Sequence, residues 1–332
     1  MIHTHSLGRA ARYYPEWTAL AAAGKRSTFR QLHDRVGGIA AYQKKRGFGV
    51  GDRLALLLPN EGDYVELVHA CAWLGVIAVP LNIRLSPTEI AHILADAEPK
   101  GLIRHSSVDA PAVQVEWQVV IDQEPLDAQS DIHPDALYDP EAVLALIYTS
   151  GTTGRPKGVV LTHANVLEDL DHVNYWMPYK EGGVYLHAAP MFHIADLPFL
   201  FGAPAFGVCQ VTIPKFSPQQ FCETVERERV NTTVVVPTML SLLTQYTDLR
   251  NHNLTSLEVI GYGGSPIAPA LISSTRQVLP HVELIQVYGL NEFDVRQHLP
   301  CAADQRRSNR GSAVADHLET GQVMVPEILV VR

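Results

Sequence analysis

Only four cysteines occur in 332 residues, and Cys71, Cys209, Cys222 and Cys301 fall at none of the short spacings that hold zinc or run thiol–disulfide chemistry. The fifteen histidines contain no HxxxH pair, so the other common zinc frame is missing as well. A reduced, cytoplasmic setting without structural zinc is expected. Charge is sparse at 18%, and 26 Lys and Arg against 35 Asp and Glu leave a net charge of -9. That balance argues against a general nucleic-acid partner, and Lys44-Lys45-Arg46 is read as the charged last turn of a helix. Anionic ligands must then be held by local devices. Long hydrophobic runs are also lacking. The longest, Val65 to Leu81, is interrupted by Glu66, His69 and Pro80, too short and too broken for a transmembrane segment. Met1 to Ala10 has no apolar signal core, which argues against secretion. No repeat or low-complexity tract is present.

What the chain does have is 46% hydrophobic residues in a regular alternation of strand-like and helix-like segments. Thr28 and Gln31 form a capping-box pattern for a helix running towards Gly47. Arg53 to Leu58 reads as a strand, Asp63 to Leu74 as a helix and Val76 to Pro80 as a strand. Ser86-Pro87-Thr88-Glu89 supplies a cap, an N1 proline and an acidic third position for the next helix, and Gly101 to Arg104 is another strand. Ser107 to Asp139, rich in Asp, Pro and Ala, reads as a surface excursion with one short strand at Gln118 to Ile121. Further on, buried strands are expected at Val184 to Ala188, Val208 to Ile213, Thr232 to Val236, Leu257 to Ile260 and Leu284 to Val287. Helices are expected at Pro218 to Arg229 and Pro269 to Val278. The alternation predicts an α/β protein, two packed α/β subdomains with mainly parallel sheets covered by helices. The break falls near Trp176 to Gly183, giving a first subdomain over 1–178, a second over 179–300 and a degenerate tail over 301–332.

The most informative segment is Tyr148-Thr149-Ser150-Gly151-Thr152-Thr153-Gly154-Arg155-Pro156-Lys157-Gly158, between the apolar runs Ala142 to Ile147 and Val159 to Leu161. Its glycines let backbone N–H groups close on phosphate oxygens, four hydroxyls add neutral donors, and Lys157 adds a positive charge. The spacing is not that of a Walker A loop, because Gly151 and Gly154 are too close and Gly158 follows Lys157. A flexible Thr/Gly turn is the plain alternative.

Three further blocks follow in order: Pro190-Met191-Phe192-His193, Gly261-Tyr262-Gly263-Gly264-Ser265-Pro266 and Gln286-Val287-Tyr288-Gly289-Leu290-Asn291-Glu292. Together with the hydroxyl-rich loop they resemble the adenylate-forming, AMP-binding superfamily, and their wording is most similar to fatty acyl-CoA synthetases. The resemblance runs from about Leu7 to Pro300. It implies an AMP-forming ligase that uses ATP, magnesium and CoA to turn a small carboxylic acid into acyl-AMP and then a thioester. Thr149, Ser150, Gly151, Thr152, Thr153, Gly154 and Lys157 would hold phosphates. Gly263, Gly264, Ser265, Gln286, Val287, Tyr288, Gly289 and Asn291 would line the nucleotide site, with Tyr288 stacked on adenine. Glu292, with Thr149 as a second ligand, would hold magnesium. Asn291 stands where the family usually has Thr, which changes the reach to an α-phosphate oxygen.

His193 resembles the histidine that lies near the substrate carboxylate and the thiol entry route, either donating to the carboxylate or assisting thiol deprotonation. A lone histidine is otherwise most often structural. Where amino-acid-activating relatives have Asp in this block, His193 points to a plain acid. Ile194, Leu197, Phe199, Leu200, Val236, Met239 and Leu240 are candidate acyl-tunnel residues or ordinary core. The family's ribose-gripping aspartate, hinge and small C-terminal domain with its lysine are not found in these 332 residues. The barrel region is read as truncated, and the large domain of an acyl-CoA synthetase is the reading adopted. A non-catalytic nucleotide- or acyl-binding protein and one subunit of a split ligase stay open as alternatives, with a separate C-terminal-domain subunit or a homo-oligomer as expected partners.

Overall fold

The computed structural model describes residues 3–124, 126, 139–149 and 156–287. Two sheets carry the chain. The first to be completed within the sequence has six strands: β3 (Arg53–Leu57), β4 (Ile77–Pro80), β5 (Gly101–Arg104), β6 (Trp117–Val120), β7 (Val143–Thr149) and β8 (Lys157–Thr162). Their order is β6-β5-β3-β4-β7-β8, parallel except for the β7–β8 hairpin.

The second sheet has seven strands, with β9 (Val184–His187), β10 (Cys209–Thr212), β11 (Thr232–Val235), β12 (Val259–Tyr262) and β13 (Glu283–Gln286) joined by β1 (Thr18–Ala22) and β2 (Lys25–Thr28). Its order is β13-β12-β11-β9-β10-β1-β2.

The sheets therefore do not divide at residue 178. β1 lies parallel to β10, with Leu20 opposite Gln210 and Ala21 opposite Val211, so residues from the N-terminus extend the second sheet. The polar run Lys25–Thr28 has no strand-like alternation, and its pairing comes from the antiparallel turn back onto β1. The strand expected at Leu257 to Ile260 lies two residues later. Gly261 and Tyr262 belong to it because they pair with Val234 and Val235 of β11 and with Ile285 and Gln286 of β13, and Gly261 must lack a side chain because a Cβ there would lie 2.7 Å from Met177 Sδ. The other expected strands and helices occur within one or two residues of their sequence bounds.

Nine helices are described: α1 (His3–Tyr13), α2 (Phe29–Lys45), α3 (Gly62–Leu74), α4 (Pro87–Ala97), α5 (His163–Trp176), α6 (Leu197–Ala205), α7 (Pro218–Glu228), α8 (Pro237–Thr244) and α9 (Pro269–Val278). Local chemistry fixes their starts. Thr28 and Gln31 cap α2 reciprocally, as Ser86 and Glu89 cap α4 and Thr162 and Asn165 cap α5. Gly47, at φ +83°, takes the left-handed turn that ends α2.

The sheets pack through a shared core. Leu54 and Leu56 of β3, Leu20 of β1, Leu32 and Ile39 of α2, Tyr64 and Leu67 of α3, Leu170 of α5 and Leu200 of α6 form one buried cluster. On the outer face of the six-stranded sheet α4 covers Ala55, Leu57 and Leu102. On the outer face of the seven-stranded sheet α7 and α8 cover Leu186, Val211 and Val235. The result is a layered α/β/α/β/α arrangement, with α3 and α6 apolar nearly all round because both lie between sheets. Among the described residues, no helix is long and apolar enough to cross a membrane.

Candidate active site

In the seven-stranded sheet β9 leads to β10 on one side, and the chain then crosses to β11 on the other. Such a reversal opens a crevice at the carboxyl ends of the strands, where α/β proteins take ligands. The loop after β9 carries Pro190 to His193, the end of β11 carries Val236, and the turn after β12 carries Gly263, Gly264 and Ser265. The end of β13 carries Gln286 and Val287. Three of the four sequence blocks thus reach one edge.

The group around Gly263 is tightly built. Val287 N–H donates to Tyr262 O at 2.9 Å and Gly263 N–H to Val235 O at 3.3 Å, tying three strand ends together. A Cβ on Gly263 would fall onto the Val287 carbonyl oxygen, so only glycine allows β12 and β13 to end side by side. Gly264 has φ +79° and turns the chain outward, leaving Ser265 exposed. Tyr288, Gly289, Asn291 and Glu292 lie outside the described residues.

The phosphate-loop group is a hairpin. Thr149 at the end of β7 is directly opposite Lys157 at the start of β8, and Tyr148 is opposite Gly158. A side chain at Gly158 would press on the Tyr148 ring at 3.0 Å, and the Tyr148 hydroxyl donates to Asp96 at 2.6 Å, fastening the hairpin base to α4. Lys157 is exposed and makes no ion pair with a described residue, so its charge is available. Ser150, Gly151, Thr152, Thr153 and Gly154 lie outside the described residues.

His193 stands in a turn held from both ends. Asn60, buried in the loop after β3, donates to Ala189 O at 2.6 Å and accepts from Met191 N–H at 2.9 Å. At the other end Asp196, fully buried at the start of α6, accepts from Tyr185 O–H at 2.8 Å and pairs with His187 Nδ1 at 2.7 Å. The Asp196 carboxylate in turn raises the pKa values of Tyr64, Tyr179 and Tyr185, after the larger effect of their burial. A carboxylate at the α6 N-terminus also meets the positive end of the helix dipole. Arg9 donates to Ala205 O at 2.6 Å at the opposite end of that helix.

The His193 ring reaches solvent on one side, and the protein packed on the other lowers its pKa from 6.5 by desolvation, so it is neutral at pH 7. Its Nδ1 accepts the Ala195 N–H at 3.1 Å.

The tunnel candidates are not brought together. Leu197 and Leu200 lie in the core between the sheets, Phe199 packs on Tyr185, and Val236, Met239 and Leu240 belong to the outer-face cluster. Asn60, His187 and Asp196 were not singled out from the sequence. The signal for the last two was a polar residue in an otherwise buried strand and helix start, which must find a partner. For Asn60 the sequence offered only a polar residue after a strand.

A model of the AMP-binding enzyme family matches residues 7–315. The chain belongs to that family. Feruloyl-CoA synthase of an Amycolatopsis species is 34% identical over 296 residues, 86% of this chain and 58% of that protein. A fatty acid–[acyl-carrier-protein] ligase of Streptomyces coeruleorubidus is 32% identical, covering 85% of this chain and 57% of its own. The chain thus spans about three fifths of the length of the curated relatives it matches. Among solved structures, the inhibitor-bound N-terminal domain of FACL13 from Mycobacterium tuberculosis superposes with TM-score 0.80 at 27% identity, covering 92% of this chain and 80% of that one. The O-succinylbenzoate coenzyme A synthetase of Bacillus subtilis, solved with ATP and magnesium ion, gives TM-score 0.76 at 30% identity, with 87% and 60% covered. The α/β fold is that of the N-terminal domain of adenylate-forming enzymes.

Proposed function

We propose that this chain supplies the nucleotide- and acid-binding part of an ATP-dependent acid–thiol ligase of the acyl-CoA synthetase type. The observation that carries the reading is the convergence of the His193 turn, the Gly263 turn and Val287 on the carboxyl edge of the seven-stranded sheet, beside its topological reversal. In the first step a carboxylate oxygen bonds to the α-phosphorus of ATP as the bond from that phosphorus to pyrophosphate breaks. In the second the thiol sulfur of CoA bonds to the acyl carbon, the acyl–oxygen bond breaks, AMP leaves and the thiol proton passes to solvent.

The protein's contribution is alignment and charge neutralisation. In this reading Lys157 would bring the cation, Thr149 to Thr153 and Gly154 would serve the phosphates, and the Gly263–Ser265 turn with Gln286, Val287 and Tyr288 would serve adenine. By the resemblance, Gly289 and Asn291 would serve the α-phosphate. His193 is assigned the acid by the resemblance, and its exposed ring is open to one. A bound magnesium ion would neutralise phosphate charge, and the hydroxyl of Thr149 and carboxylate of Glu292 are oxygen donors suited to such a hard cation. Among the described residues no cluster of three His, Cys, Asp or Glu could hold a metal by itself.

A plain carboxylic acid is favoured as substrate because His193 occupies the position at which amine-binding relatives carry Asp. The relatives' names span aryl, fatty and succinylbenzoate acids, so aryl and aliphatic acids belong in one panel. ATP–pyrophosphate exchange across that panel, with Lys157→Ala beside it, tests the proposal. Acid-dependent exchange that the substitution abolishes is expected. ATP binding without exchange under any acid would replace it with a nucleotide-binding protein, or with one subunit of a split ligase.

A further inference from the structure

We infer that His193 is held as the Nε2–H tautomer and meets its ligand as a hydrogen-bond donor rather than as a proton acceptor, with Asn60 and Asp196 as the positioning residues that enforce this. The inference rests on the acid-activating reading and chooses between the two roles that the sequence left open.

The argument starts from the ring. Ala195 N–H points at Nδ1 at 3.1 Å and occupies that nitrogen's lone pair. A neutral imidazole has one donor and one acceptor, so its hydrogen must be on Nε2. Accepting a proton at Nε2 requires the other tautomer, in which an Nδ1–H would face the Ala195 N–H and the bond would be lost. Accepting one at Nδ1 meets the same obstacle directly. Desolvation, which already disfavours the imidazolium, acts in the same direction.

The ring's partner is fixed because the turn is fixed. His193 N–H donates to Pro190 O at 3.1 Å, and the N–H groups of Asp196 and Leu197 both donate to His193 O at 3.0 Å. Asn60 clamps the entry, its amide serving Ala189 O and Met191 N–H at once. Asp196 clamps the exit through Tyr185 and His187, and the latter is itself met at Nε2 by Gln210 at 3.0 Å. These groups come from β9, β10, α6 and the loop after β3. The two sheets therefore both contribute to the orientation of one imidazole. A donor at Nε2 suits a carboxylate that must be placed for attack on phosphorus, and it does nothing to deprotonate a thiol.

The test uses the full 332-residue chain with isotope-labelled histidine and long-range proton–nitrogen correlation spectra at neutral pH, the His193 signals being assigned by their loss in His193→Gln. A protonated Nε2 with a bare Nδ1 is expected. An Nδ1–H ring, or an even mixture, overturns the inference without reference to any enzymatic activity. In Asn60→Ala and Asp196→Ala the single tautomer is expected to give way to a mixture. Asn60→Asp and Asp196→Asn replace them should the alanine variants fail to fold, and an unchanged His193 spectrum in folded variants removes Asn60 and Asp196 from the role.

A second arm compares ATP–pyrophosphate exchange. His193→Gln, whose amide N–H₂ sits near the position of Nε2, is expected within about tenfold of the parent. His193→Ala is expected to fall by about a hundredfold. Equal losses in the two variants would overturn the donor role. Absence of exchange in the parent chain would count against the acid-activating reading alone, while the spectra still decide the tautomer.

Discussion

His69 gives the most quantitative prediction of the fold. Helix α6 contains Pro204, which has no N–H to offer the carbonyl of Leu200 four residues earlier. His69 of α3 fills the gap. Its Nε2 lies 3.0 Å from Leu200 O, its ring meets Phe201 edge-on with centroids 4.9 Å apart, and it has no solvent exposure. The bond requires Nε2–H, which leaves Nδ1 bare and buried. Desolvation lowers the pKa from 6.5 to about 4, the Leu200 bond opposing it.

The sign follows directly. The folded pKa is below the unfolded one, so the stability associated with neutral His69 is full above pH 6.5 and is lost as pH falls towards about 4. At about 1.4 kcal/mol per pH unit the loss is roughly 3 kcal/mol. Urea unfolding of the parent and of His69→Gln, from pH 7.5 to 4, isolates the effect, because carboxylate contributions are common to both. The substituted amide still offers a donor to Leu200 O and does not titrate. The parent is expected to lose more stability than the variant, by about 3 kcal/mol at the acid end. Parallel pH profiles would refute the assignment of a buried, neutral His69.

Other consequences are simpler. Gly263→Ala should cost about 1–3 kcal/mol in urea unfolding, because the new methyl displaces the Val287 carbonyl. Gly264→Ala should cost about 1 kcal/mol, from its positive φ alone, since the nearest atom to its Cβ is 3.7 Å away. Tyr185→Phe removes one of the donors to buried Asp196 and should destabilise by about 1–3 kcal/mol, again read by urea. Lys157→Ala should change folding stability by less than about 0.5 kcal/mol, since the side chain is exposed and unpaired among the described residues. The same substitution should sharply weaken ATP binding in calorimetry, and unchanged affinity would remove Lys157 from the phosphate site.

The sequence was most legible where local chemistry decides structure. The reciprocal caps at Thr28/Gln31 and Ser86/Glu89, and the buried runs at Arg53, Gly101 and Thr232, announce themselves because capping and strand patterning act over a few residues. It was least legible where the chain returns from far away. Nothing in Thr18–Thr28 announces a pairing with β10 almost two hundred residues later, because that pairing is set by the whole layered core. The site shows the same division. The glycines at 263 and 264 and the histidine at 193 were visible as motif residues. Asn60 and Asp196 act on His193 through contacts 131 and 9 residues apart, Asn60 with Met191 and Asp196 with His187, which a linear reading does not pair. The choice between acyl tunnel and ordinary core was not legible for a related reason. An apolar run such as Leu197 to Leu200 serves several cores in turn as the helix rotates.

The acyl-adenylate route is tested by following the fate of one oxygen atom. The chain is incubated with ATP, CoA and acids labelled with heavy oxygen in the carboxylate, and the products are weighed by mass spectrometry. An acyl-adenylate route predicts AMP and pyrophosphate as products, with one labelled oxygen carried into AMP when the acyl group leaves. Appearance of ADP with the label in inorganic phosphate, or of AMP without label, would contradict the account.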